Sequence, residues 1–321
     1  MKKMTTLMLA ALAYAGASAF AADYPNKPVR FIVAFPPGSA TDIVGRLYTQ
    51  KWTEMWGHQV IADNRPGAGG SIAAAIAAKS TADGYTLLMH SSGHTVNPSL
   101  YAKLPFDTLK DFVDIGPLAQ QPNVMVTHPS TSYQTVQDVL KAAMAKPGAL
   151  NFASAGVGSG THLNLEKLKL MAKINMNHVP YKGSAEALAD VLGNRVDFYF
   201  APISTTLAHV QGNRVRAIAV STIKRSSILP TIPTIAESGV PGYAAGSWYG
   251  YVAPARTPAA ILRRLSDEIV KISNTPAFAD QLKNNVGAEP DTMPAEKFGQ
   301  FLAAETEKWA KVIKLTGATL E

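Results

Sequence analysis

The chain has 321 residues, 30 basic and 23 acidic side chains and no cysteine. The missing thiols exclude disulfides and thiolate metal sites, so the fold depends on core packing. The basic residues are scattered (Lys27, Arg30, Arg46, Lys51, Arg65, Lys79) with no run that tracks a phosphate backbone, which argues against a nucleic-acid partner, while the mild positive excess suits recruitment of small anions.

In chain order, Lys2-Lys3, the apolar stretch Leu7 to Ala15 and the A-x-A triplet Ala19-Phe20-Ala21 predict a cleavable signal peptide over 1–21, with the mature chain starting at Ala22. A periplasmic location is expected. No later run is long and apolar enough for a membrane helix, so no membrane insertion is expected after cleavage. From Val29 onward, β-branched or aromatic runs alternate with amphipathic stretches, which predicts an α/β fold. Strands are predicted at Val29–Phe35, Gln59–Ala62, Thr86–Met89, Val124–Thr127, Leu150–Ala153, Asn177–Val179, Val196–Phe200, Arg216–Val220 and Trp248–Ala253. Helices are predicted at Thr41–Trp56, Ile72–Ala78, Val136–Ala145, Leu163–Ala172, Ala185–Leu192, Pro258–Ser273 and Ala295–Leu315. Thr257 reads as an N-cap with Pro258 at the first helical position, and Gly193 and Gly317 as C-terminal stops.

Two transitions, at Gly116 to Pro122 and in the Pro/Gly-rich segment Leu229 to Tyr243, predict a discontinuous first domain (22–121 plus 250–321) around a second (122–249). The cleft between them is the expected binding site.

Gly-Ser recurs where a predicted loop meets a predicted helix: Gly38-Ser39, Gly70-Ser71, Gly158-Ser159 and Gly183-Ser184. Helix starts carry unpaired N–H groups and the positive end of the macrodipole, so several together attract an anion. A fifth copy, Gly246-Ser247, leads into a strand instead. In the first loop, Phe35, Pro37, Gly38, Ser39 and Asp42 are candidate ligand contacts, although Ser39 and Asp42 also fit a capping box. In the third, Ser154, Gly158, Ser159 and Thr161 offer a nest of amides and hydroxyls suited to a carboxylate. The fourth adds Tyr181 and Lys182, the latter equally readable as a solvated loop charge. Arg65 reads as a salt-bridge partner more readily than as a ligand contact.

Other chemistries fit poorly. Val157 stands where a G-x-S-x-G nucleophile elbow needs glycine, and no nucleophile has an evident base, so an enzyme is not expected. The glycines of Asn64 to Ser71 are not at G-x-G-x-x-G spacing, no Walker lysine follows Gly158, and no cofactor is expected. His90 and His94 flank Gly93 in what reads as a strand end and loop, which disfavours a metal and leaves His94 as a cleft-lining donor. Trp248 and Tyr249 could stack on a ligand or pack in the core.

The ordered series Tyr24-Pro25-x-Lys27-Pro28-Val29-Arg30, Phe35-Pro36-Pro37-Gly38 with Asp42, Asn64 to Gly70, Ala82-Asp83-Gly84-Tyr85, Asn97-Pro98-Ser99-Leu100-Tyr101, Ser154 to Thr161, Val179-Pro180-Tyr181-Lys182-Gly183 and Ala253-Pro254-Ala255-x-Thr257-Pro258 resembles the solute receptors of tripartite tricarboxylate transporters, the Bug receptor family. The resemblance implies a periplasmic-binding-protein-like, type II "Venus flytrap" whose two α/β domains close on a small carboxylate, di- or tricarboxylic or aromatic. It further implies a monomer that delivers the ligand to membrane permease subunits, with a two-component sensor as the alternative recipient. In such receptors the first proline-glycine loop and the Ser154 to Thr161 loop face each other. Ser39 departs from the second glycine of many relatives and adds a hydroxyl to the pocket.

Overall fold

The computed structural model describes residues 24–316, so the predicted signal peptide and the Gly317 stop lie outside the described residues. The chain opens with β1 (Val29–Val33), α1 (Ala40–Trp56), β2 (Val60–Asn64), a short 3-10 turn (Ala68–Gly70), α2 (Ser71–Ala78), β3 (Thr86–Ser91), α3 (Gly93–Leu100) and β4 (Phe112–Gln121). It continues with β5 (Asn123–Thr127), α4 (Val136–Ala145), β6 (Asn151–Ser154), α5 (Gly160–Ala172), β7 (Asn177–Pro180), α6 (Ser184–Leu192), β8 (Phe198–Pro202), α7 (Ile203–Gln211) and β9 (Arg216–Val220). The last part holds β10 (Ser247–Pro254), α8 (Ala259–Ser273), α9 (Pro276–Gln281), β11 (Glu289–Pro290) and α10 (Ala295–Thr316).

These strands form two sheets, ordered β2-β1-β3-β10-β4-β11 and β7-β6-β8-β5-β9. Both follow one plan. A parallel trio (β2-β1-β3 or β7-β6-β8) is joined to a further strand through an antiparallel insert, β10 in the first sheet and β5 in the second. Each insert is the strand laid down just after the chain crosses from one sheet to the other. Pro122 alone separates β4 from β5, and the return crossing runs into β10 at Ser247. The result is two α/β domains with mixed sheets, in line with the expected class.

Helices cover both faces of each sheet, so the central strands are apolar on both sides. In the first domain Phe31 stacks on Trp52 at 5.0 Å on one face, while Ile32, Leu88, Trp248 and Phe298 pack on the other. The second domain has a matching pair of cores, one around Phe152, Phe198 and Phe200 and one around Val124, Val126 and Tyr199. Sheet packing places the carboxyl ends of β1, β3 and β6, and the helix starts that follow, along the line where the domains meet.

The predicted elements match to within a few residues, with five omissions. β4 carries Asp114, Gly116 and Pro117, which read as a break; the strand nevertheless runs through them, accommodated by two register shifts against β10. β11 is only two residues long. The His90 to His94 segment does not end in a loop, because α3 starts at Gly93 itself. α7 and α9 are short helices with no side-chain cap to announce them. At α8 the N-cap is Pro258, and Thr257 Oγ1 instead donates to the Pro254 carbonyl at 2.8 Å. Gly193 closes α6 as expected.

Candidate functional site

All four Gly-Ser pairs lie at helix starts. Ser39 caps α1 and Ser159 caps α5, each in extended conformation with its hydroxyl accepting from the amide three residues on: Asp42 N–H at 3.2 Å and His162 N–H at 3.3 Å. Gly70 and Gly183 occupy the cap positions of α2 and α6 without a side-chain bond. The two capped helices come from different domains and point their first turns at each other.

Between them is a small cavity of about 20 Å³. Ala40 and Thr41 line it from α1, Gly160 and Thr161 from α5, and Ser184 from α6. The amides in a first turn have no carbonyl one turn back to pair with, so this cavity collects N–H donors from both domains. Hydroxyls of Ser39, Thr41, Ser91, Ser159, Thr161, Ser184, Ser247 and Tyr249 complete the wall, with Phe35 and Pro202 as apolar contributors. None of the described residues lining it is charged. Neutral dipoles arranged in this way can stabilise an anion without a cation to be desolvated.

The loops are braced from behind. Asp42 is buried, and its carboxylate accepts from Gly38 N–H at 2.9 Å, Arg46 Nε at 2.9 Å and Asn64 Nδ2 at 2.8 Å. These bonds hold the Pro36 to Ser39 turn, and Asp42 stands outside the cavity wall. Ser154 plays a similar part in the second domain. Its hydroxyl accepts from Gly156 N–H at 3.1 Å and meets His178 Nε2 at 2.6 Å. His178 is stacked between Phe152 and His162, with ring centroids 4.7 and 4.1 Å away, and His162 Nδ1 accepts from Gly158 N–H at 3.2 Å. Burial pushes the His178 imidazole down to about 4 and His162 well below the usual histidine range, so both brace the loop as neutral rings.

Of the other predicted contacts, Tyr181 and Lys182 line the mouth of the cleft, a space of about 230 Å³ shared with Phe35 and the Gly67–Gly70 loop. Pro37 and Gly38 are exposed at the other rim. Gly158 is buried against Asn97 and Leu100. His94 stands apart: it is fully buried between His90 and Phe112, both ring nitrogens lack a hydrogen-bond partner among the described residues, and it does not reach the cavity. Arg65 pairs with Asp63 at 3.1 Å. Trp248 packs edge-on against Phe298 and Phe301, whereas its neighbour Tyr249 faces the cavity and donates to Gln121 Oε1 at 2.6 Å.

The domains approach through residues with no side chain to spare. A Cβ on Gly69 would lie 2.6 Å from the Val157 carbonyl oxygen, one on Gly160 3.3 Å from Ser92 Oγ, and one on Gly183 3.2 Å from the Pro36 ring.

A family model described as "Tripartite tricarboxylate transporter family receptor" matches residues 44–318. The chain belongs to this family. Solved relatives share its fold throughout. The R. palustris protein Rpa4515, solved with adipate, is 33% identical with a TM-score of 0.88, covering 92% of this chain and 99% of that one. The periplasmic binding protein BugD is 29% identical with a TM-score of 0.86, covering 93% and 100%. MatC from Rhodopseudomonas palustris, with bound malate, is 26% identical with a TM-score of 0.84, covering 90% and 100%. The receptor therefore has the two-domain Venus-flytrap fold of periplasmic solute-binding proteins, and its family is one of binding proteins rather than enzymes. Among the described residues no helix is long and apolar enough to cross a membrane.

Sequence reasoning about this receptor did not single out Thr41, Ser91 or Ser247 as cavity residues. Ser91 had one local signal, a serine pair at the carboxyl end of an apolar strand. Ser247 had only the fifth Gly-Ser pair, set aside because it leads into a strand; its place in the wall depends on β10 inserting between β3 and β4.

Proposed function

We propose that this chain is a periplasmic receptor that captures a small carboxylate, dicarboxylic, tricarboxylic or aromatic, by closing its domains on it, and that it delivers the ligand to the permease subunits of a tripartite tricarboxylate transporter. The observation that carries this reading is the pair of serine-capped helix starts, one from each domain, converging on an uncharged cavity walled by hydroxyls. One carboxylate oxygen would accept from the first turn of α1 and the other from that of α5, with Ser39 adding a hydroxyl, while Ser159 Oγ, which donates to the Gly156 carbonyl at 2.7 Å, and Thr161 Oγ1, 2.9 Å from it, hold the loop. The anion then bridges the domains and stabilises the closed state through contacts absent when the cleft is open.

Volume supports a closing mechanism. A space of about 20 Å³ holds little more than one water, so even a short acid enters only when the walls part. The cleft mouth, with Tyr181 and Lys182, extends the path by about 230 Å³ and gives the remainder of a longer acid somewhere to lie. Adipate and malate, found with two solved relatives, are both dicarboxylates, which supports this ligand class. We further assign residues 22–121 with 250–321 to one domain and 122–249 to the other, and take the mature receptor to act as a monomer.

A thermal-shift screen of the mature protein against mono-, di- and tricarboxylates, aliphatic and aromatic, with sugars and amino acids as controls, tests the reading. A ligand at 100 times its dissociation constant stabilises by about 2.7 kcal/mol, a shift of roughly 5–10 °C for a protein of this size. Stabilisation confined to one carboxylate class is expected. Stabilisation by sugars and by no carboxylate would overturn it.

A further inference from the structure

On the other side of β10 from the cleft, a second cavity of about 490 Å³ opens behind the two crossings, within the size range of small-molecule sites. Side chains alternate along a strand, and β10 sends Tyr249 into the cleft cavity and Trp248 into this one, so a single strand separates the two spaces. Both domains build the walls. The 222–227 segment comes from the second domain, Phe301 and Lys308 come from α10 of the first, and the crossings themselves contribute Gln121 and Ser247.

The chemistry of the walls is specific. Trp248 is 6% exposed; its indole N–H is sealed off from solvent with no acceptor among the described residues, so the residue offers the cavity ring surface and no donor. Its ring and Phe301 form an aromatic wall, 5.9 Å between centroids, and Ile223 is an exposed apolar side chain at the rim. Among the described residues Lys224 has no ion-pair partner. The acids on the walls are engaged: Glu305 pairs with Lys308 and accepts from the Trp309 indole, and Glu289 accepts from Ser227. Lys167 of the second domain is close enough to Lys308 to be lowered by its charge, after the larger effect of burial, so the cationic side is crowded.

We propose that this cavity is a second ligand site, for a small monoanion with a flat apolar body such as an aromatic carboxylate, and that its occupant biases opening of the cleft. The acidic group meets Lys224, and the body lies against the Trp248 and Phe301 rings. The link to the cleft is short. Ser247 lines both cavities, and Gln121, on the wall of the second, accepts from the Tyr249 hydroxyl on the wall of the first. Rotation about the crossings changes the shape of a cavity built from both domains, so an occupant that contacts the two arrangements differently shifts their balance.

Calorimetry with 1-naphthoate on the full mature chain tests the site. The cleft is blocked by Ser159→Trp, so that the result stands apart from the reading of the cleft. One saturable site is expected to remain in that variant, weakened at least tenfold by adding Lys224→Glu and lost on adding Ser227→Trp, which sends an indole into the cavity from an exposed rim position. At saturation, amide hydrogen exchange at Gln121, Asn123 and residues 246–248 should slow. The proposal is overturned by no binding to the wild type, or by binding that Ser159→Trp removes and Lys224→Glu leaves unchanged. Unchanged exchange at both crossings would overturn the coupling.

Discussion

Gly69→Ala separates closure from folding. Gly69 has a φ of 59°, where an alanine costs about 1 kcal/mol in open and closed forms alike, enough to lower Tm by a few degrees. The closed form has a second problem. The new methyl would sit 2.6 Å from the Val157 carbonyl oxygen of the other domain, where even weak C–H···O contacts keep carbon and oxygen about 3.3 Å apart. The obstructing atom is backbone, so the domains have to stay apart by a comparable distance. Forced overpacking of this kind costs about 1–3 kcal/mol, which falls on the closed state alone and raises Kd roughly 5–150-fold. Calorimetric titration of wild type and variant with the acid found by thermal shift reads the effect. A Kd within twofold of wild type would refute the claim that binding requires this closed contact.

Ser159→Trp, which fills the anion cavity from the α5 cap, should abolish carboxylate binding while lowering Tm only by the few degrees expected for a lost cap of about 1 kcal/mol; retained affinity in a titration would show that the ligand lies elsewhere. Asp42→Ala strands the Gly38 amide and frees Arg46 and Asn64, so unfolding in urea should show a loss of roughly 2–3 kcal/mol together with weaker ligand binding; a loss under about 0.5 kcal/mol would contradict the bracing role. Stability should also fall in acid. His90 and His178 are both held down to about 4 by burial, below the ordinary 6.5 that they regain on unfolding. Their neutral forms cost nothing above pH 6.5, and the penalty grows as pH drops toward 4, reaching roughly 3 kcal/mol for each ring. Denaturation midpoints measured from pH 7 to pH 4 check this, and replacing His178 by Gln should flatten the slope.

Much of the site was legible because its chemistry is local. A glycine that allows a tight turn followed by a serine that caps a helix is encoded in adjacent residues, and Ser39 and Ser159 lie where that logic puts them. Asp42 illustrates its limit: the S-x-x-D spacing held two meanings, and the structure spends the carboxylate on Gly38, Arg46 and Asn64. The wall from β3 and β10 was not legible. Ser91, Ser247 and Tyr249 meet only because a strand from the far end of the chain inserts between β3 and β4, a pairing with no local signature. His94 lies away from the cavity for a related reason: the segment around Gly93 reads as a strand end and loop, whereas α3 begins at Gly93 and turns the ring inward onto Phe112. β4 escaped because Gly116 and Pro117 resemble a break, yet bulges absorb them.

The central claim is that a carboxylate closes the receptor by bridging α1 and α5, and the absence of cysteine makes a direct test simple. Spin labels at Ile72→Cys and Ala189→Cys, exposed positions on opposite domains, allow the interdomain distance to be measured by pulsed electron resonance with and without the acid found in the screen. The account predicts a broad distribution that narrows to one shorter distance at saturation, and no narrowing when Ser159→Trp is added. A distribution that the ligand leaves unchanged, with binding confirmed in the same sample, would contradict it.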